Sequence, residues 1–162
     1  MGSGLLVGIL CAGCALATHA GTVGPDELNV GSVRYLDDTN AVLRAFGPPI
    51  SRQPNPRVVA GGFDDTWSYS GLRVRFYDGW RCVQIEVSDS QYSVGRGLRV
   101  GALLAGVLAV YGQPTYRRTT GDTTYLSYPF KGRARAYVGM LVKTTADTVR
   151  VLEVGQLTFV FM

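Results

Sequence analysis

Few side chains in this sequence could carry chemistry. Two aspartate pairs, Asp37-Asp38 and Asp64-Asp65, are candidate metal or acid–base carboxylates. Their places before a helix and before a strand suit capping and turn duty better. Glu86 and Glu153 sit in matching Ile85-Glu86-Val87 and Leu152-Glu153-Val154 segments. Two carboxylates flanking a scissile bond can supply an acid and a base, as in glycoside hydrolysis. Cys82, expected beside Arg75, would have its thiol pKa lowered by the cation. The plainer reading is an inert, partly buried cysteine. The one histidine, His19, lies in a segment expected to be removed. The remaining chain then has no imidazole for a Ser-His-Asp or Cys-His site or a His-ligated metal. Gly95-Arg96-Gly97 lacks the Lys-Ser/Thr of a phosphate loop, so no cofactor is expected.

A second set of residues suits recognition. Arg73, Arg75, Tyr77, Gln84 and Glu86 alternate along a predicted hairpin, and Trp67, Tyr69 and Trp80 flank it. Arg, Trp and Tyr are enriched where proteins bind proteins. The plainer reading is a solvated sheet face with Arg–Glu pairs across strands. Trp67 and Trp80 taken alone fit core or edge packing.

These residues need elements to position them. The chain has 162 residues, 46% hydrophobic and 17% charged, which suits one compact domain or two small units. It is too apolar for disorder. Its net charge of +4 is far from the dense basic patch of a nucleic-acid binder. Asp38 or Thr39 can cap a helix over Ala41–Phe46 that Gly47 and Pro48 end. Leu103–Tyr111 with Gly112 and Pro114 repeats the order without a polar cap, and its apolar character predicts burial on more than one side.

Strands follow each helix. Gly71–Tyr77 alternates with Leu72, Val74 and Phe76 on one face. Asp78-Gly79 is a hairpin turn signal, and Trp80–Val87 returns. A two-residue turn there pairs Val74 with Val83, Leu72 with Ile85, Arg73 with Gln84 and Arg75 with Cys82. Asp65–Tyr69 parallels Asp122–Tyr128. Ala134–Val142, Val149–Val154 and Leu157–Phe161 complete the expected strands. The expected fold class is α+β: two diverged copies of a short helix packed on an antiparallel β-sheet, over 29–94 and 95–162.

The N-terminus reads as an export signal. Leu5–Ala17 is apolar but shorter than the ~20 residues that span a bilayer. Ala15-Leu16-Ala17 and Thr18-His19-Ala20 offer small-x-small cleavage sites, though Met1–Gly4 carries no Lys or Arg. The alternative is a buried N-terminal helix. Ala12-Gly13-Cys14 resembles the end of a bacterial lipobox, with Cys11 where Leu is usual, making Cys14 the candidate for lipidation. The expected leader is 1–20, and 21–28 is expected to be a linker. With Cys11 and Cys14 in the leader, no disulfide framework remains.

The helix ending in aromatic-Gly-x-Pro, followed by Trp67-Ser68-Tyr69, a strand with an Asp78-Gly79 hairpin and Ile85-Glu86-Val87, resembles two groups of small secreted modules. One is the SmpA/OmlA-type outer-membrane assembly lipoproteins, the other the tandem-repeat β-lactamase-inhibitor proteins. The resemblance runs over about residues 28–161. The chain lacks the disulfide cysteines of the inhibitors and has one clear helix per copy. The resemblance implies a helical segment on an antiparallel sheet and a role in binding protein. Together these readings lead us to expect an exported, non-enzymatic protein of the bacterial periplasm, envelope or exterior. Its partner would be another protein and not nucleic acid, with a membrane reached only through a lipid anchor. The alternative is a small secreted hydrolase or lyase using Asp64, Asp65, Glu86 and Glu153.

Overall fold

The computed structural model describes residues 20–55, 65–131 and 138–157. The expected leader with Cys14, Asp64, residues 134–137 and the expected final strand beyond Leu157 lie outside the described residues.

The first half begins with three two-residue strands, β1 (Ala20–Gly21), β2 (Asn29–Val30) and β3 (Val33–Arg34). Helix α1 (Thr39–Phe46) follows, then β4 (Ser51–Pro54), β5 (Asp65–Tyr69), β6 (Leu72–Tyr77) and β7 (Arg81–Val87). The second half has α2 (Leu104–Tyr111), β8 (Gln113–Pro114), β9 (Tyr116–Thr120), β10 (Thr123–Pro129), β11 (Val138–Thr145) and β12 (Thr148–Gln156). Eight strands form one sheet in the order β4-β5-β6-β7-β12-β11-β10-β9. Every neighbouring pair in it is antiparallel. Each half thus contributes a helix and a four-strand meander, and the halves join at β7 and β12. The α+β class therefore holds.

The helices form for the reasons their ends suggest. Asp38 accepts a hydrogen bond from the Ala41 N–H at 2.7 Å, filling one orphan donor of α1. Leu103 at the start of α2 supplies no such bond. At the other ends, Gly47 (φ 74°) and Gly112 (φ 76°) take the left-handed conformation that glycine tolerates. The hydroxyls of Tyr69 and Tyr128 donate to the carbonyls of those two glycines at 3.3 and 3.1 Å.

The helices and the sheet share one core. Val42 from α1 and Val107 and Tyr111 from α2 pack with Leu72, Val74, Phe76, Ile85, Leu126, Met140, Leu152 and Val154. Strand alternation fills this inner face with apolar side chains and turns the intervening residues outward.

Four expectations change. The β6–β7 register slides by two residues: Val74 faces Ile85, Arg73 faces Glu86, and Arg75 faces Gln84, with a bulge between Arg75 and Phe76. Tyr77 pairs with Arg81, so the loop holds Asp78, Gly79 and Trp80 instead of two residues. The bulge adds the rest of the shift and turns Cys82 inward opposite Phe76. Residues 21–28 are not a linker, because Val23 and Leu28 are buried in the core. Finally, α2 buries Leu104, Val107 and Tyr111 only, while Ala105, Gly106, Ala109 and Val110 are exposed.

Candidate functional site: the outer face of the sheet

The outward residues of β6, β7, β12 and β11 meet in one polar network. Antiparallel register sets Arg73 opposite Glu86, Glu86 opposite Glu153, and Glu153 opposite Leu141. Two carboxylates directly across a strand pair repel. Cations offset this. Arg73 Nη1 lies 3.3 Å from Glu86 Oε1, and Arg75 Nη2 lies 3.7 Å from Glu86 Oε2. Lys143 Nζ lies 2.5 Å from Glu153 Oε1. Gln84 joins the two halves: its Nε2 donates to Glu153 Oε2 at 3.1 Å, and its Oε1 accepts from Arg75 Nη1.

Burial makes these contacts count. Glu153 and Gln84 are each 1% exposed, and Arg73, at the rim, keeps 47% of its side chain exposed. Burying a carboxylate is costly unless it is paired and hydrogen-bonded, and Glu153 is both. The ion pairs Arg75–Glu86 and Lys143–Glu153 occupy corresponding positions of the two halves, each one step along its hairpin from the bulge. Among the described residues the network has three cations and two carboxylates, an excess of one positive charge. Both oxygens of each glutamate already face a cation or an amide.

The other expected site residues divide. Tyr77 continues the Arg73–Arg75 row to the hairpin tip and is 40% exposed. Trp80, in the loop, is 45% exposed with the Arg81 guanidinium 4.5 Å above its ring. Trp67 is not on this face: it is buried on the inner side, its ring 4.6 Å from that of Phe76. Tyr69 packs edge-on against Phe46, and burial pushes its hydroxyl up to about 12.

The remaining candidates have structural duties. Asp65 accepts from Trp67 Nε1 at 2.7 Å, and Asp37 accepts from the Arg34 N–H at 2.8 Å. Cys82 is fully buried, and burial, with the charge of Asp37 added, pushes its thiol up to about 12. That is the reverse of the activation expected beside Arg75, because the bulge moves Cys82 to the apolar face. Among the described residues, no three His, Cys, Asp or Glu side chains gather as metal ligands. Sequence reasoning missed Lys143. The repeated order of strands could have found it, since Lys143 holds the position in β11 that Arg75 holds in β6.

No protein-family profile matches the chain, and no curated protein sequence matches it. One solved structure resembles it: an extracellular protein containing an SCP domain from Bacillus anthracis str. Ames, at 11% identity and a TM-score of 0.49. The alignment covers 75% of this chain and 44% of that protein, so the chain spans under half its length. A likeness at that level does not reach a shared fold. Among the described residues, no helix is long and apolar enough to cross a membrane.

Proposed function

We propose that this chain is an exported, non-enzymatic protein made of two diverged copies of one helix-plus-meander unit, and that it binds another protein through the outer face of its sheet. The observation that carries this reading is the Arg73–Glu86–Arg75–Gln84–Glu153–Lys143 network, which fixes an arginine-rich face before any partner arrives. Preorganised side chains lose little entropy on binding. Arg73, Tyr77 and Trp80 are the exposed anchors of that face, and its excess positive charge fits an acidic patch on the partner. The duplication is supported by the two left-handed glycines, the two tyrosine–glycine hydrogen bonds and the two corresponding ion pairs. Export rests on the leader, and anchoring on Cys14.

The binding test uses photo-crosslinking in the native host with mass identification of what is captured. Arg73→Glu with Tyr77→Ala should lose a partner that the wild type and Arg44→Glu, on the α1 surface, both retain. Retention by the outer-face variant would sink the reading. Intact mass of the mature chain tests the anchor: acylation on an N-terminal Cys14 means a lipoprotein, and an unmodified start at Thr18 or Gly21 means a soluble one.

A second reading is a carboxylate-dependent hydrolase or lyase, favoured by one observation: Glu86 and Glu153 face each other in register. It requires Glu86→Gln to abolish a measurable turnover while leaving binding intact.

A further inference from the structure

The charges of the outer-face network do not balance. Lys143 pairs with Glu153 and Arg75 reaches Glu86 Oε2, so the charge of Arg73 is the surplus. Arg73 is also the cation that solvent reaches. Its side chain is 47% exposed, against 16% for Arg75 and 22% for Lys143. Among the described residues its one contact runs from Nη1 to Glu86 Oε1 at 3.3 Å. Nε and Nη2 form the other edge of the guanidinium, a two-donor fork that matches a carboxylate.

A notch of about 100 Å³ opens beside that edge, lined by Arg73, Glu86, Ser68, Ser88 and Gly71. The sheet builds it. Ser68 stands directly across from Arg73 on β5. The Ser88 N–H donates to the Gly71 carbonyl at 2.9 Å, tying the end of β7 to the β5–β6 turn. Among the described residues neither serine hydroxyl is taken by another side chain or carbonyl. Asp89, packed against Gly71, turns its Oδ1 to the Gln91 N–H at 2.9 Å and does not line the notch. A ligand there meets one surplus cation and two hydroxyls, which suits a monoanion. A phosphate group, at about −1.5 to −2, would bring charge with nothing to offset it. The space equals about three waters at ~30 Å³ each, room for a carboxylate on one methylene. A chain terminus would bring its amide as well, and the space does not hold both.

We propose that this notch is the subsite for an aspartate or glutamate side chain of the protein partner. Its carboxylate is held by Arg73 Nε and Nη2 and by the Ser68 and Ser88 hydroxyls. The subsite rests on the binding role proposed above and names the residue type that role recognises. Its test needs no partner. The isotope-labelled chain is titrated by NMR with N-acetyl-aspartate N-methylamide, its asparagine counterpart, N-acetylglycine and inorganic phosphate. The Arg73 Nε–H and the Ser68 and Ser88 amides should shift together and saturably with the aspartate compound. It should bind at least about fivefold more tightly than the other three, which lack the charge or do not fit. Arg73→Lys should weaken it about fivefold, since an ammonium offers no fork. Ser68→Ala with Ser88→Ala should weaken it about threefold. No saturable shift, comparable binding of the asparagine compound, or tighter binding of N-acetylglycine or phosphate overturns the subsite. Strongest shifts at Arg117 and Arg118, exposed on β9, would show charge attraction alone and overturn it too. None of these outcomes alters the crosslinking result for Arg73→Glu with Tyr77→Ala, so failure of the subsite and failure of protein binding are read separately.

Discussion

The two halves hold one backbone frame with different side chains. Leu36 (φ 74°) and Gly101 (φ 92°) occupy the same left-handed position, and their N–H groups donate to the carbonyls of Cys82 and Val149 at 2.7 and 2.9 Å. Residues Asp38 and Leu103 bridge to Arg81 and Thr148, the first residues of the last strand in each half. The turns before those strands use Asp78-Gly79 in one half and Ala146-Asp147 in the other, all with positive φ. Yet α1 shows Asn40 and Arg44 to solvent, whereas α2 shows Ala105, Gly106, Ala109 and Val110. Backbone hydrogen bonds and turn geometry hold the frame, and several residue types satisfy those. The exposed surface has no such constraint, so the halves differ there.

The comparison can be broken at its matched positions. The largest difference is expected at the tyrosines. Tyr128 is fully buried and Tyr69 only partly, so Tyr128→Ala should cost about 4 kcal/mol and Tyr69→Ala about half that in urea unfolding. Equal losses would mean that the two hydroxyl–glycine contacts, and not burial, dominate. Next comes the network. Lys143→Ala strands a carboxylate that is 1% exposed and should cost about 3 kcal/mol. Arg73→Ala, at the exposed rim, should cost less than about 1 kcal/mol.

Alkaline titration gives a further test. Burial raises the Cys82 thiol from 9.0, and the Tyr69 and Tyr128 hydroxyls from 10.0, to about 12 each. The folded chain holds these protons more tightly than the unfolded one. Stability from these groups is complete below pH 9.0 and is lost as pH rises toward about 12. Cys82→Ala should abolish the first part of that decline, below the tyrosine range. The smallest effects come from importing one half's solution into the other. Leu103→Asp should give α2 the cap that Asp38 gives α1, and Ala146→Asn with Asp147→Gly should relax the second turn. Each should add about 0.5–1 kcal/mol, read as a shift of the urea midpoint.

Much of the fold was legible in the sequence because its signals are local. Asp38, Gly47, Gly112 and Pro114 bound the helices through capping and left-handed backbone that few other residues supply. The alternation of Leu72, Val74 and Phe76 marks the inner face whatever the strand pairs with. The β11–β12 turn was not legible, since Ala146-Asp147 carries no hairpin signal and is forced into positive φ by the strands on either side. β4 and β9 were missed for a related reason. Residues Ser51–Pro54 and Tyr116–Thr120 are exposed edge strands without an apolar rhythm.

By itself the sequence determined where helices start and stop, which residues of β6 face inward, and that Arg73, Arg75 and Glu86 share a face. Those properties depend on neighbours within a few positions. Tertiary structure decided the rest. A third loop residue and a one-residue bulge together set Arg73 on Glu86 instead of Gln84, and the bulge moved Cys82 into the core. The β7–β12 seam brought Glu86 against Glu153, a meeting that their matching Ile-Glu-Val and Leu-Glu-Val segments do not imply. Register is a long-range quantity, fixed by the sum of burial across a whole sheet, so a chemistry that needs two strands exists only once they meet.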